Sequence, residues 1–130
     1  MIVAFEHRTH LPTQIGNHVV CVDDDGAIYA HQNARDPAPG AAWTAEPARV
    51  GALAQPRDVV ERVLRKHGFF ELDPLHESPA TQGGVIRTLT YWDREGAPTT
   101  VTVDRAKLPA FDRLVQKLFE ALELSELPAT

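Results

Sequence analysis

Leu108-Pro-Ala-Phe-Asp-Arg-Leu-Val-Gln-Lys-Leu-Phe-Glu-Ala-Leu122 decides the fold. Leu108, Phe111, Leu114, Val115, Leu118, Phe119 and Leu122 recur at steps of three and four, the period of one helix face. Pro109 suits the first helical turn, where its missing N–H costs nothing. Arg113, Lys117 and Glu120 fall on the other side, facing water. So one-sided a helix has to bury its stripe, and the strand-like segments before it are the natural cover.

The nearest of these are Val85–Trp92 and Pro98–Asp104, rich in Thr, Val, Ile, Tyr and Trp, which read as a hairpin. Their connection, Asp93-Arg94-Glu95-Gly96, has the Asp and Gly that a type I turn with a glycine bulge favours. The matching register sets Leu89 opposite Val101 and Arg87 opposite Val103, with Ile86, Thr88, Thr90 and Trp92 on the other face. Further back, Pro56 opens a second helix with Val59, Val60, Val63 and Leu64 as its stripe and Asp58, Glu61, Arg62 and Arg65 wet. His67-Gly68-Phe69 stops it, because glycine takes the left-handed angle and the next apolar residue folds back. Phe70 and Leu72 then read as an extended apolar segment, and Asp73 to Gly84 as a polar loop.

Near the amino terminus, Ile2–Arg8, His18–Val22 and Ala27–His31 read as strands, with Leu11–Asn17 a loop. Asp23-Asp24-Asp25-Gly26 repeats the Asp-x-x-Gly turn. A two-residue turn would put Asp23 opposite Ile28. A three-residue loop with Gly26 left-handed puts Val22 opposite Ile28 and Val20 opposite Ala30, and that apolar face selects it. Residues 33–55 form a long Pro/Ala/Gly-rich connection, with Trp43 pinning its middle and a turn of helix near Ala48–Ala54. The expected fold is α+β: a single-layer antiparallel sheet of five strands in the order β-β-β-α-β-β-α, with two helices on one face. Residues 1–124 make one domain and 125–130 a short tail.

The chain has 130 residues, 43% hydrophobic and 24% charged, the composition of a globular domain. Its net charge of −5 argues against unspecific nucleic-acid binding, which needs a basic face. One cysteine, Cys21, excludes an internal disulfide framework and fits a reducing compartment. The opening Met1–His7 is soon charged and no apolar run is long enough to span a membrane, so a cytoplasmic protein is expected.

His7, His10, His18 and Cys21 form His-x2-His-x7-His-x2-Cys, residue types that zinc accepts. On one strand, however, His18 and Cys21 are three apart and point to opposite faces, so no metal is expected on this set. The reading is surface histidines and a semi-buried thiol. Asp23, Asp24 and Asp25 are consecutive, whereas a calcium loop spaces its carboxylates alternately and adds a distal glutamate. Cys21, Ser78 and Ser125 sit in no nucleophile motif, and His76-Glu77 lacks the second histidine of a metalloprotease helix. No cofactor and no enzymatic activity is therefore expected. Trp92 and Tyr91 at a hairpin tip, and His76 and Glu77 in the polar loop, are the candidate interaction residues.

Val20-Cys-Val-Asp-Asp-Asp-Gly-Ala-Ile-Tyr29, a long connection, a helix ending in Gly68-Phe-Phe-Glu-Leu72, Val101-Thr-Val-Asp104 and Leu108-Pro109 occur in an order that resembles small bacterial domains of unknown function. The latter half resembles emfourins, small inhibitors of thermolysin-type metalloproteases. The resemblance covers roughly Val19–Leu122, lacks the emfourins' glycine-rich opening, and carries over no inhibitory residue. With the absence of a catalytic motif, the expected reading is a non-enzymatic interaction module, inhibitor-like by that resemblance, with an unidentified protein partner and as monomer or homodimer. Two other readings stand beside it: an acidic immunity or adaptor protein for a basic partner, and a small metal-dependent enzyme using His7, His10, His18 and Cys21.

Overall fold

The computed structural model describes residues 1–9, 17–33, 48–78 and 84–124. Among them the chain is α+β, with one seven-stranded mixed sheet and two α-helices. In chain order these are β1 (Val3–Thr9), β2 (Asn17–Val22), β3 (Ala27–Asn33), β4 (Ala48–Ala52), α1 (Pro56–Lys66), β5 (Leu75–Glu77), β6 (Val85–Trp92), β7 (Pro98–Asp104) and α2 (Pro109–Ala121). The sheet order is β4-β3-β2-β1-β6-β7-β5. The expected positions of His10, Trp43 and the 125–130 tail lie outside the described residues.

Both helices cover one face. Val3, Phe5, Val20, Val22, Ile28, Leu89, Tyr91, Val101 and Val103 on the strands share a single core with Val60 and Leu64 of α1 and with Phe111, Leu114, Val115, Leu118 and Phe119 of α2. Phe5 is its centre, with Phe119 edge-on at 5.6 Å and Phe111 at 6.4 Å between ring centroids. Each such side chain contributes roughly 1.5–3 kcal/mol of burial, which is why the stripe of α2 dictates the layer arrangement.

The two hairpins take the registers their turns demand. Val22 faces Ile28 and Val20 faces Ala30, while Leu89 faces Val101 and Arg87 faces Val103. Gly26 and Gly96 both have left-handed angles, φ 91° and 84°. In each turn the leading aspartate closes the loop, Asp23 Oδ1 accepting from the Asp25 and Ala27 N–H groups and Asp93 Oδ1 from Glu95 and Ala97.

Four expectations need correction. The sheet has seven strands rather than five, and it is not purely antiparallel. Ala48–Ala52 is a strand, not a turn of helix: on a sheet edge, backbone pairing to β3 suffices and no apolar alternation is needed. Leu75–Glu77, inside the expected polar loop, pairs in parallel with Thr102–Asp104. It therefore runs antiparallel to β6, with β7 between them. Finally, Phe69–Glu71 is a short 3-10 turn rather than an extended segment. Gly68, at φ 78°, bends the chain back so that Phe69 is fully buried.

Candidate functional site

At one end of the sheet the two hairpin turns, Met1 and Ile2 just before β1, and the first turn of α1 enclose an open groove of about 800 Å³. Trp92, Asp93 and Arg94 line it from the second turn, Asp24 from the first, and Gln55, Arg57 and Asp58 from the beginning of α1. The chain enters this helix through Gln55, whose left-handed backbone (φ 51°) is uncommon for a non-glycine residue. The connection before Gln55 is fixed by Leu53, whose N–H donates to the Gly26 carbonyl at 2.8 Å.

Tyr91 and Trp92 are neighbours with different duties, because alternate residues of a strand face opposite sides. Tyr91 shares the helix-covered face with Leu89 and is 5% exposed. Its hydroxyl donates to the Glu61 carboxylate and accepts from Arg57 Nη1 at 3.1 Å. Burial, then the bond to Glu61, pushes its phenol above the usual tyrosine range. Arg57 Nη1 also donates to the Trp92 carbonyl at 3.0 Å, and its guanidinium lies 3.8 Å from Glu61. Glu61, expected to be wet, is thus drawn into the contact between helix and sheet. This clamp ties α1 to the strand that carries Trp92, and the Trp92 N–H donates to the Ile2 carbonyl at 2.9 Å. The tryptophan backbone is held from two sides while its half-buried side chain meets the groove. Across the rim, Arg94 lies 4.0 Å from Asp58, both well exposed. Arg57 and Arg94 escaped the sequence reading; the signal available was Pro56-Arg57 opening a helix with Glu61 one turn on.

His76 and Glu77 are far from this groove. On β7 the level of Trp92 is Pro98 and the level of His76 is Val103, five residues or roughly 17 Å along the strand. The His76 ring donates through Nε2 to the Asp73 carbonyl at 2.8 Å, and Glu77 is exposed. The four candidate interaction residues therefore fall at two ends of the sheet.

The histidine and cysteine set is likewise divided. His7 and His18 are opposite one another on β1 and β2, on the helix-covered face with Phe5 and Val20. Cys21 faces the other side, 8% exposed, its thiol pushed up by burial and then by Asp23. His18 is not a surface residue, being 4% exposed. Burial holds both imidazoles towards the neutral form; for His7, with the further repulsion of His18 and Arg87, the pKa falls to about 4. Among the described residues no group of three or more His, Cys, Asp or Glu side chains is placed to hold a metal ion, and no helix is long and apolar enough to cross a membrane.

The sequence matches no protein-family model and no curated protein.

Proposed function

We propose that this chain is a non-enzymatic protein-interaction module that receives a loop of its partner in the groove at the turn end of the sheet. The observation that carries this reading is the tryptophan in the wall of an open groove of about 800 Å³, held by its backbone to α1 and to Ile2. Large aromatic side chains anchored in a pocket contribute disproportionately to protein recognition. A backbone fixed before contact avoids the cost of ordering on binding. Arg94, Asp58 and Asp24 around it present both signs of charge, which orient a partner more than they attract one.

The resemblance to emfourins supplies the class of partner: a thermolysin-type metalloprotease, inhibited without cleavage of the inhibitor. A titration against a panel of such proteases, including one from the same organism, tests it. Stoichiometric inhibition with the protein recovered uncut is expected, weakened at least about tenfold by Trp92→Ala. No inhibition at micromolar concentration across the panel would remove the protease reading. Inhibition indifferent to Trp92→Ala but lost on changing His76 and Glu77 would move the binding surface to β5.

A further inference from the structure

Half of the divided histidine set is joined by the sheet. His7 and His18 are direct partners in the β1–β2 register, and their ring centroids are 5.3 Å apart with planes inclined by 54°. Two imidazoles bound to one tetrahedral ion, each nitrogen about 2.0–2.1 Å from it, have centroids about 5 Å apart. His18 is 4% exposed, and its Nδ1 has no hydrogen-bond partner. A buried ring nitrogen left this way costs free energy that a ligand on it would recover. His7 is half-buried, which leaves an approach from solvent.

We propose that His7 and His18 together hold one divalent transition-metal ion, with zinc the probe of choice, at a two-histidine site on the helix-covered face of the sheet. Imidazole-only donors select zinc, nickel and copper over magnesium or calcium, which want oxygen. Arg87, the cation that repels the His7 ring, is paired with Asp112 and also donates to the Ala106 carbonyl at 3.4 Å. These contacts offset part of the repulsion that Arg87 exerts at the site. Cys21 has no part in the site, since it lies on the opposite face. This site shares no residue with the turn-end groove, so it stands or falls apart from the interaction reading.

Calorimetric titration of the full chain with zinc at neutral pH, alongside the carbon-detected ring resonances of its histidines, tests the assignment. The expected result is one ion per chain, with the His7 and His18 ring signals moving together and the others unmoved. His7→Asn and His18→Asn should each weaken uptake at least about tenfold, magnesium should give no heat, and Cys21→Ser should leave the isotherm unchanged. No uptake, uptake that survives His7→Asn, or uptake lost with Cys21→Ser would overturn it. If His18→Asn does not fold, the ring signals of the unaltered protein decide: shifts at other histidines only would also overturn it.

Discussion

The two Asp-x-x-Gly turns are nearly identical in backbone and opposite in circumstance. Each has an aspartate accepting two backbone N–H groups and a left-handed glycine. Around Gly26, however, the chain is crowded: a β-carbon added there would stand 2.2 Å from the Leu53 carbonyl oxygen and 3.3 Å from Pro56. Around Gly96 it would meet nothing within 4 Å. The first turn is a foundation, since the segment leading into α1 rests on it. The second is a rim, free on its outer side and carrying Arg94 to the mouth of the groove. Local sequence makes the turn; the neighbours decide what the turn is for.

Substitutions at the two glycines should separate these roles most widely. Gly26→Ala combines left-handed strain with a collision against backbone that cannot swing aside, and should cost roughly 3–5 kcal/mol in chemical denaturation. A loss no greater than that of Gly96→Ala would show that the β4–α1 connection yields and is no foundation. The aspartates should differ less. Asp23→Ala removes a partly buried bond to the Ala27 N–H and should cost about 1–2 kcal/mol, whereas water can replace the exposed bonds of Asp93, for about 0.5–1 kcal/mol. Equal losses would place the distinction in the glycines alone. Gly96→Ala, by contrast with Gly26→Ala, should cost only about 1 kcal/mol for the backbone angle itself. It should leave the Trp92 fluorescence unaltered, and a changed emission would mean that the rim does depend on this residue.

Both turns, and the registers that follow from them, were legible because their determinants are adjacent in the chain. The stripes of α1 and α2 were legible for the same reason. Ala48–Ala52 was not, because an edge strand of alanines, Arg49, Val50 and Gly51 buries too little to produce a pattern. Leu75–Glu77 is short and its Leu75 is 53% exposed, so only its pairing with β7 defines it. The separate faces of Tyr91 and Trp92 could have been read: once Leu89 is placed in the core, alternation carries Tyr91 in with it. The meeting of His7 with His18 could not, since it rests on the register of two strands whose connecting loop announces no turn type. The groove was equally hidden, being assembled from both turns, the residues just before β1 and the start of α1.

The middle of the sheet has a further consequence, for the order in which the chain becomes a protein. β1 is paired on one side with β2 and on the other with β6, with Val3 opposite Tyr91 and Thr9 opposite Val85. That inner seam joins residues about eighty positions apart, whereas β2–β3 and β6–β7 close over a few. Either hairpin pays little loop-closure entropy, while the seam pays it in full before its contacts return anything. The rate-determining event in folding should therefore be the zipping of β1 against β6, with Phe5 and Leu89 facing each other in its centre. Leu89→Ala should slow refolding by most of its equilibrium effect, while changes at the exposed β4 edge should act on unfolding. Synthesis makes β1 well before β6, so β1 waits, one edge unpaired, until about eighty further residues have been added.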